Sequence, residues 1–159
     1  MTRSLNEIEG MIHKAARGAG LPLGHADELA AAGVRLVAEG GDPGEITVAL
    51  DKATGVAMTG PAAIDAVLAT GEPVTLADVD SPHLLVAMVA AREVAVTARI
   101  ESTGVVLEPG ETVVLPLDGP VDVDAAHWAR WSELAARTYV PASEASRESG
   151  AGAGLTDND

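Results

Sequence analysis

The hydrophobic period of this chain changes at Glu93, and that change restricts the possible folds more than any other feature of the sequence. Upstream, apolar residues recur at Leu5, Ile8, Ile12, Ala15, Ala16 and Ala19, the spacing of one helix face. From Glu93 onward Val94, Val96, Ala98 and Ile100 alternate with Glu93, Thr97, Arg99 and Glu101, the period of two that lines one face of a sheet. A last helix, capped by Asp124, is expected to run to about Arg137. Helices at both ends of a strand-bearing centre predict an α+β fold. Its parts are an N-terminal helical pair over 1–40, a mixed strand and helix unit over 41–120, a C-terminal helix over 121–139 and a Gly-rich polar closing segment over 140–159. At 159 residues one domain is expected, without internal repeats.

Local signals place the elements. Ser4-Leu5-Asn6-Glu7 is a capping box that opens a helix from Leu5 to Ala19, ended by Gly18, Gly20 and Pro22. A second helix is expected from His25 to Glu39, with Asp27 and Glu28 near its positive end and Leu29, Gly33, Leu36 and Val37 facing inward. The contact stripes of this pair are Ala- and Gly-rich, so the backbones approach closely. Ile46 to Leu50 and Val56 to Met58, separated by Asp51-Lys52-Ala53-Thr54-Gly55, suit a hairpin, although Pro43 equally suits the start of a short helix. Pro61 and Pro82 read as first-turn prolines of helices over 61–69 and 82–92, the latter capped by Ser81 and, being apolar all round, buried. Val105 to Leu107 and Thr112 to Leu117 flank Glu108-Pro109-Gly110-Glu111, a turn signal that predicts a small antiparallel sheet.

Ten basic residues against 24 acidic ones give a net charge of −14, which repels phosphate backbones and anionic lipid. Neither nucleic acid nor a membrane is an expected partner. The absence of cysteine removes disulfides, thiolate metal sites and a Cys nucleophile, and fits a cytoplasmic location. The opening residues have no signal-peptide core, and the longest apolar run, Leu84 to Ala91, is too short for a bilayer of about 30 Å.

The sequence has no phosphate loop, nucleophile elbow or zinc-protease helix. Gly150-Ala151-Gly152-Ala153-Gly154 lacks the dinucleotide-binding spacing, so no cofactor is expected. His13, His25, His83 and His127 have no paired ligand spacing and read as helix-surface residues, and no metal is expected. Trp128, Trp131 and Ala135 form an i, i+3, i+7 stripe that anchors the last helix to the core, with ligand stacking as the alternative. Glu133 and Arg137 sit at i, i+4 in the order that favours a surface pair.

The chain closes with VPASEASRESGAGAGLTDND, whose composition is that of a solvated tail. Its alternating glycines nevertheless permit backbone N–H groups to approach a ligand. Ser143, Ser146 and Arg147 precede the glycines Gly150, Gly152 and Gly154, and Asp157, Asn158 and Asp159 follow them. Folded back, these residues would combine a cation, hydroxyls, N–H groups and carboxylates, a mixture suited to a small polar or zwitterionic molecule. Lys14 and Arg17, in KAARGAG, join the same place if the two ends of the chain are neighbours.

KAARGAG, the helix after it and the closing string resemble an uncharacterised bacterial family, domain of unknown function 3726. The resemblance brings no activity with it. It implies that the closing string belongs to the family's pattern. Two readings follow. In one the chain is a small-molecule enzyme or enzyme subunit whose closing segment builds the pocket, with an Asp as general base and Arg147 or Lys14 holding an anionic group. In the other it is a non-catalytic subunit whose closing segment docks into a protein partner.

Overall fold

The computed structural model of the protein describes residues 1–111 and 114–138. In chain order the elements are β1 (Thr2–Ser4), α1 (Leu5–Gly18), α2 (Leu23–Ala38), α3 (Pro43–Asp51), α4 (Val56–Thr70) and β2 (Val74–Ala77). They are followed by α5 (Pro82–Arg92), β3 (Val96–Glu101), β4 (Gly104–Pro109), β5 (Pro120–Asp122) and α6 (Ala125–Ala136). Helices with two small antiparallel sheets make the fold α+β, as the change of period requires.

The first helix starts where its capping box dictates. The Ser4 hydroxyl accepts from the Glu7 N–H at 3.3 Å, and the Glu7 carboxylate accepts from the Ser4 N–H at 2.9 Å. Ile8, Ile12, Ala15 and Ala16 bury one face of α1 against its neighbours. A Cβ on Gly33 of α2 would lie 2.7 Å from Ile12 Cδ1, so glycine is what admits the isoleucine there. The second helix begins two residues earlier than expected, with Pro22 at its cap position, so Asp27 and Glu28 lie beyond its first turn. They pair instead with side chains of other helices, Asp27 with His13 at 3.1 Å and Glu28 with Arg92 at 3.6 Å.

The hairpin expected between Ile46 and Met58 is instead two helices. Asp42 accepts from the Gly44 N–H, Pro43 takes a first-turn position, and Ile46, Ala49 and Leu50 recur at helix spacing on the buried side of α3. Asp51 is thus the last residue of α3, and Lys52 to Gly55 link it to α4 rather than closing a hairpin. Pro61 also departs from expectation. Helix α4 starts at Val56, which places Pro61 inside it, where the ring removes the bond an N–H would make to the Ala57 carbonyl. Ser81 does occupy the cap position of α5, but its hydroxyl donates to the Glu45 carbonyl at 2.9 Å. The Leu84 N–H at that helix start donates to the Glu45 carboxylate, also at 2.9 Å, so α3 caps α5 from the side.

The three-stranded sheet has the order β2-β4-β3. Val74 and Ala98 flank Leu107, and Leu76 and Ile100 flank Val105, forming an apolar face over α4 and α5. Arg99 on the other face pairs with Glu101 and Glu108, both at 2.9 Å. Glu93 terminates α5 with φ of 51°, so β3 begins only at Val96. No strand runs from Val114 to Leu117, and Thr112 and Val113 lie outside the described residues. The partner of β4 on that side is β2, and the Leu115 carbonyl accepts instead from the buried Arg35 guanidinium at 3.3 Å.

The second sheet closes the fold. Thr2 to Ser4 pair with Pro120 to Asp122, and Val123 N–H donates to the Met1 carbonyl at 3.0 Å. Asp124 then caps α6 as expected, accepting from the Ala126 N–H. At one end of α6 the Arg3 guanidinium lies 4.4 Å from the Trp128 ring, and at the other a Cβ on Gly18 would be only 1.8 Å from the Leu134 carbonyl oxygen. With both starts together and both ends together, α1 and α6 run parallel. The buried apolar side chains form one cluster from Ile8 to Leu134. Among the described residues, no helix is long and apolar enough to cross a membrane.

Candidate functional site

Helices α1 and α6 end side by side, and a cavity of about 450–510 Å³ scale opens on each flank of Lys14 along them. The larger, about 510 Å³, is lined by His13, Lys14, Arg17, Gly18, Arg137 and Thr138. Arg17 and Arg137 reach it because each lies at a helix carboxyl end, Arg17 in the last turn of α1 and Arg137 at the cap position of α6. One Arg17 Nη donates to the Leu21 carbonyl at 2.6 Å, which ties the guanidinium down and leaves its other donors free. Among the described residues, no carboxylate lines this cavity.

That absence is informative because acids are plentiful elsewhere. Arg3, Arg35, Lys52, Arg92, Arg99 and Arg130 are all ion-paired. Among the described residues Lys14, Arg17 and Arg137 make no ion pair, and all three line the same cavity. The carbonyl ends of α1 and α6 balance part of the charge. Each is worth roughly half a negative charge, so the two together offset about one of the three cations. The surplus is positive in a molecule whose net charge is −14.

Arg137 was expected to pair with Glu133. Glu133 instead accepts from Arg130 at 2.7 Å, and Arg130 also holds Asp51 of α3 at 2.6 Å. The i, i+3 neighbour thus takes the carboxylate and leaves the i, i+4 one for the cavity. Counting Arg130 as a competitor for Glu133 would have exposed Arg137 from the sequence. Of the site residues read from the sequence, Lys14 and Arg17 are brought together at the cavity. Its wall at Thr138 is the last described residue before the closing segment. Ser143, Ser146, Arg147, Gly150, Gly152, Gly154, Asp157, Asn158 and Asp159 lie outside the described residues.

Three of the histidines bond to neighbouring side chains. His83 Nδ1 lies 2.6 Å from Glu45, His13 faces Asp27, and His127 Nδ1 lies 2.9 Å from the Thr47 hydroxyl. The two tryptophans divide their roles. Trp131 is fully buried, with its N–H donating to Thr47 at 3.0 Å, which is the anchor expected of the stripe. Trp128 is half-buried and lines the second cavity, about 450 Å³, between α1 and α6. Its ring centroid is 6.2 Å from that of Trp131.

Residues 3–93 match the family described as protein of unknown function (DUF3726), and the chain belongs to that family. The matched segment runs from β1 to the end of α5 and carries Lys14 and Arg17, whereas Arg137 and the closing string lie outside it. No curated protein and no solved structure matches the chain.

Proposed function

We propose that the chain binds a small anion-bearing polar molecule at the cavity of Lys14, Arg17 and Arg137, as a small-molecule enzyme or as the subunit of one. The closing segment, which follows Thr138 at the cavity wall, completes the pocket and supplies the catalytic acid or base. The observation that carries this reading is the gathering of the three unpaired described cations around one cavity that no described carboxylate lines. Arginine forks and a lysine ammonium suit a phosphate or carboxylate, and a site drawn from the end of α1 and the end of α6 assembles distant segments, as enzyme sites do. A segment that served only to dock into a protein would need no such cations at its root.

Calorimetric titration of the full chain with inorganic phosphate and with succinate tests the proposal. Saturable binding is expected for at least one of them, weakened at least tenfold in a Lys14→Ala/Arg17→Ala double variant. A chain ending at Thr138 should retain weak anion binding and lose any activity. If neither anion binds and the truncated chain alone loses a copurifying protein, the docking subunit is the correct reading.

A further inference from the structure

The second cavity indicates what the rest of that ligand is. Asn6, Gly10 and Lys14 lie on one line of α1 at successive steps of four, and all three line the space between α1 and Trp128. Lys14 also lines the cation cavity, so its side chain borders both spaces. Gly10 leaves the middle of this floor open, since a Cβ built there meets nothing within 4 Å. A flat body can therefore lie against the helix backbone. Opposite stands Trp128, half-buried, with Met11 supplying a soft thioether surface. The Trp128 N–H and the Asn6 amide bond to no described residue, which leaves hydrogen-bonding groups at the edge of the space. Arg3 is held over Trp128 at 4.4 Å and to Glu7 at 3.4 Å, which fixes the indole without filling the cavity.

We infer that the molecule bound here carries a flat ring system beside its anionic group, the ring against Trp128 and Gly10 and the anion at Lys14, Arg17 and Arg137. This inference rests on the anion-binding reading and goes beyond it by naming the ligand class. A cavity of about 450 Å³ next to one of about 510 Å³ is of the size that holds a mononucleotide or an aromatic acid.

The test compares AMP with ribose 5-phosphate on the full chain, because the two share phosphate and sugar and differ by the ring. AMP should bind at least tenfold more tightly and quench tryptophan emission, the gain typical of a base stacked on an aromatic ring. Gly10→Leu should remove the advantage of AMP and leave ribose 5-phosphate unchanged, while helix content and melting temperature do not fall, because the Cβ meets nothing within 4 Å and leucine favours the helix. Trp128→Leu should do the same. Equal affinities for the two compounds, both weakened by Lys14→Ala/Arg17→Ala, would overturn the ring and leave the anion site standing. Binding of neither compound, while phosphate or succinate still binds, would overturn the ring alone, and binding of none of the four would overturn both.

Discussion

The Thr47 hydroxyl lies between two aromatic rings that belong to the far end of the chain. It accepts from the Trp131 N–H at 3.0 Å, so its own hydrogen is available for His127 Nδ1 at 2.9 Å or for the Pro43 carbonyl at 3.4 Å. Thr47→Val keeps the shape and leaves the indole N–H buried without an acceptor. The expected cost is about 1–3 kcal/mol, read as a lower urea midpoint, with Thr47→Ser recovering most of it. Gly18 is constrained by space. Any Cβ there collides with the Leu134 carbonyl, and neither backbone can yield without separating α1 from α6, so Gly18→Ala should cost at least as much as an overpacked core site, about 1–3 kcal/mol. Glu7 carries a pH signature. Hydrogen bonds from the Ser4 backbone and hydroxyl, with a smaller contribution from Arg3, hold its carboxyl below the usual carboxylate range. A depressed folded-state value means stability that is complete above the unfolded value, about 4.3, and lost as pH falls through the lower folded one. Glu7→Gln should therefore melt below the parent at pH 7, and the gap should narrow as the pH falls below the usual carboxylate range.

At the scale of elements, α1 and α2 form the contact expected of their small-residue stripes. Ala16 is fully buried, and Ala16→Leu should overpack that region by about 1–3 kcal/mol, seen as a shifted denaturant midpoint at unchanged slope. Elements with complete local signals were legible in the sequence. The capping box of α1, the Pro and apolar run of α5 and the Asp cap of α6 each fixed a start within a residue or so. Elements whose identity depends on distant partners were not. β1, β2 and β5 span only 3, 4 and 3 residues, and each exists because a remote strand supplies its hydrogen bonds. The segment from Ile46 to Met58 misled because its short apolar runs satisfy both periods, and the deciding contacts come from α6 and α5. The site divided in the same way. Lys14 and Arg17 were visible as a local cluster, whereas Arg137 depended on which cation won Glu133, a contest settled by Arg130 also reaching Asp51 of α3.

For the whole molecule the charge of −14 sets the long-range behaviour, and the cavity is a local exception to it. A duplex presents its phosphates over a length no three-residue patch can match, so non-specific affinity for random DNA should be weaker than about 0.1 mM at physiological salt. Micromolar gel retardation that salt abolishes would contradict this. A compact anion samples only the nearest potential and can be held where a duplex is repelled.

The parallel seating of α6 on α1 has a further consequence, for the order in which the protein is made. Met1 is bonded to Val123, and Thr47 waits for Trp131, so partners separated by 122 and 84 positions complete each other. During synthesis the first helices leave the ribosome long before the helix that covers them, and for that interval the slot for Trp131 is empty. A released chain ending before Asp124 should be captured by chaperones that ignore a released chain ending after Thr138, because closure waits for α6 rather than for any earlier helix.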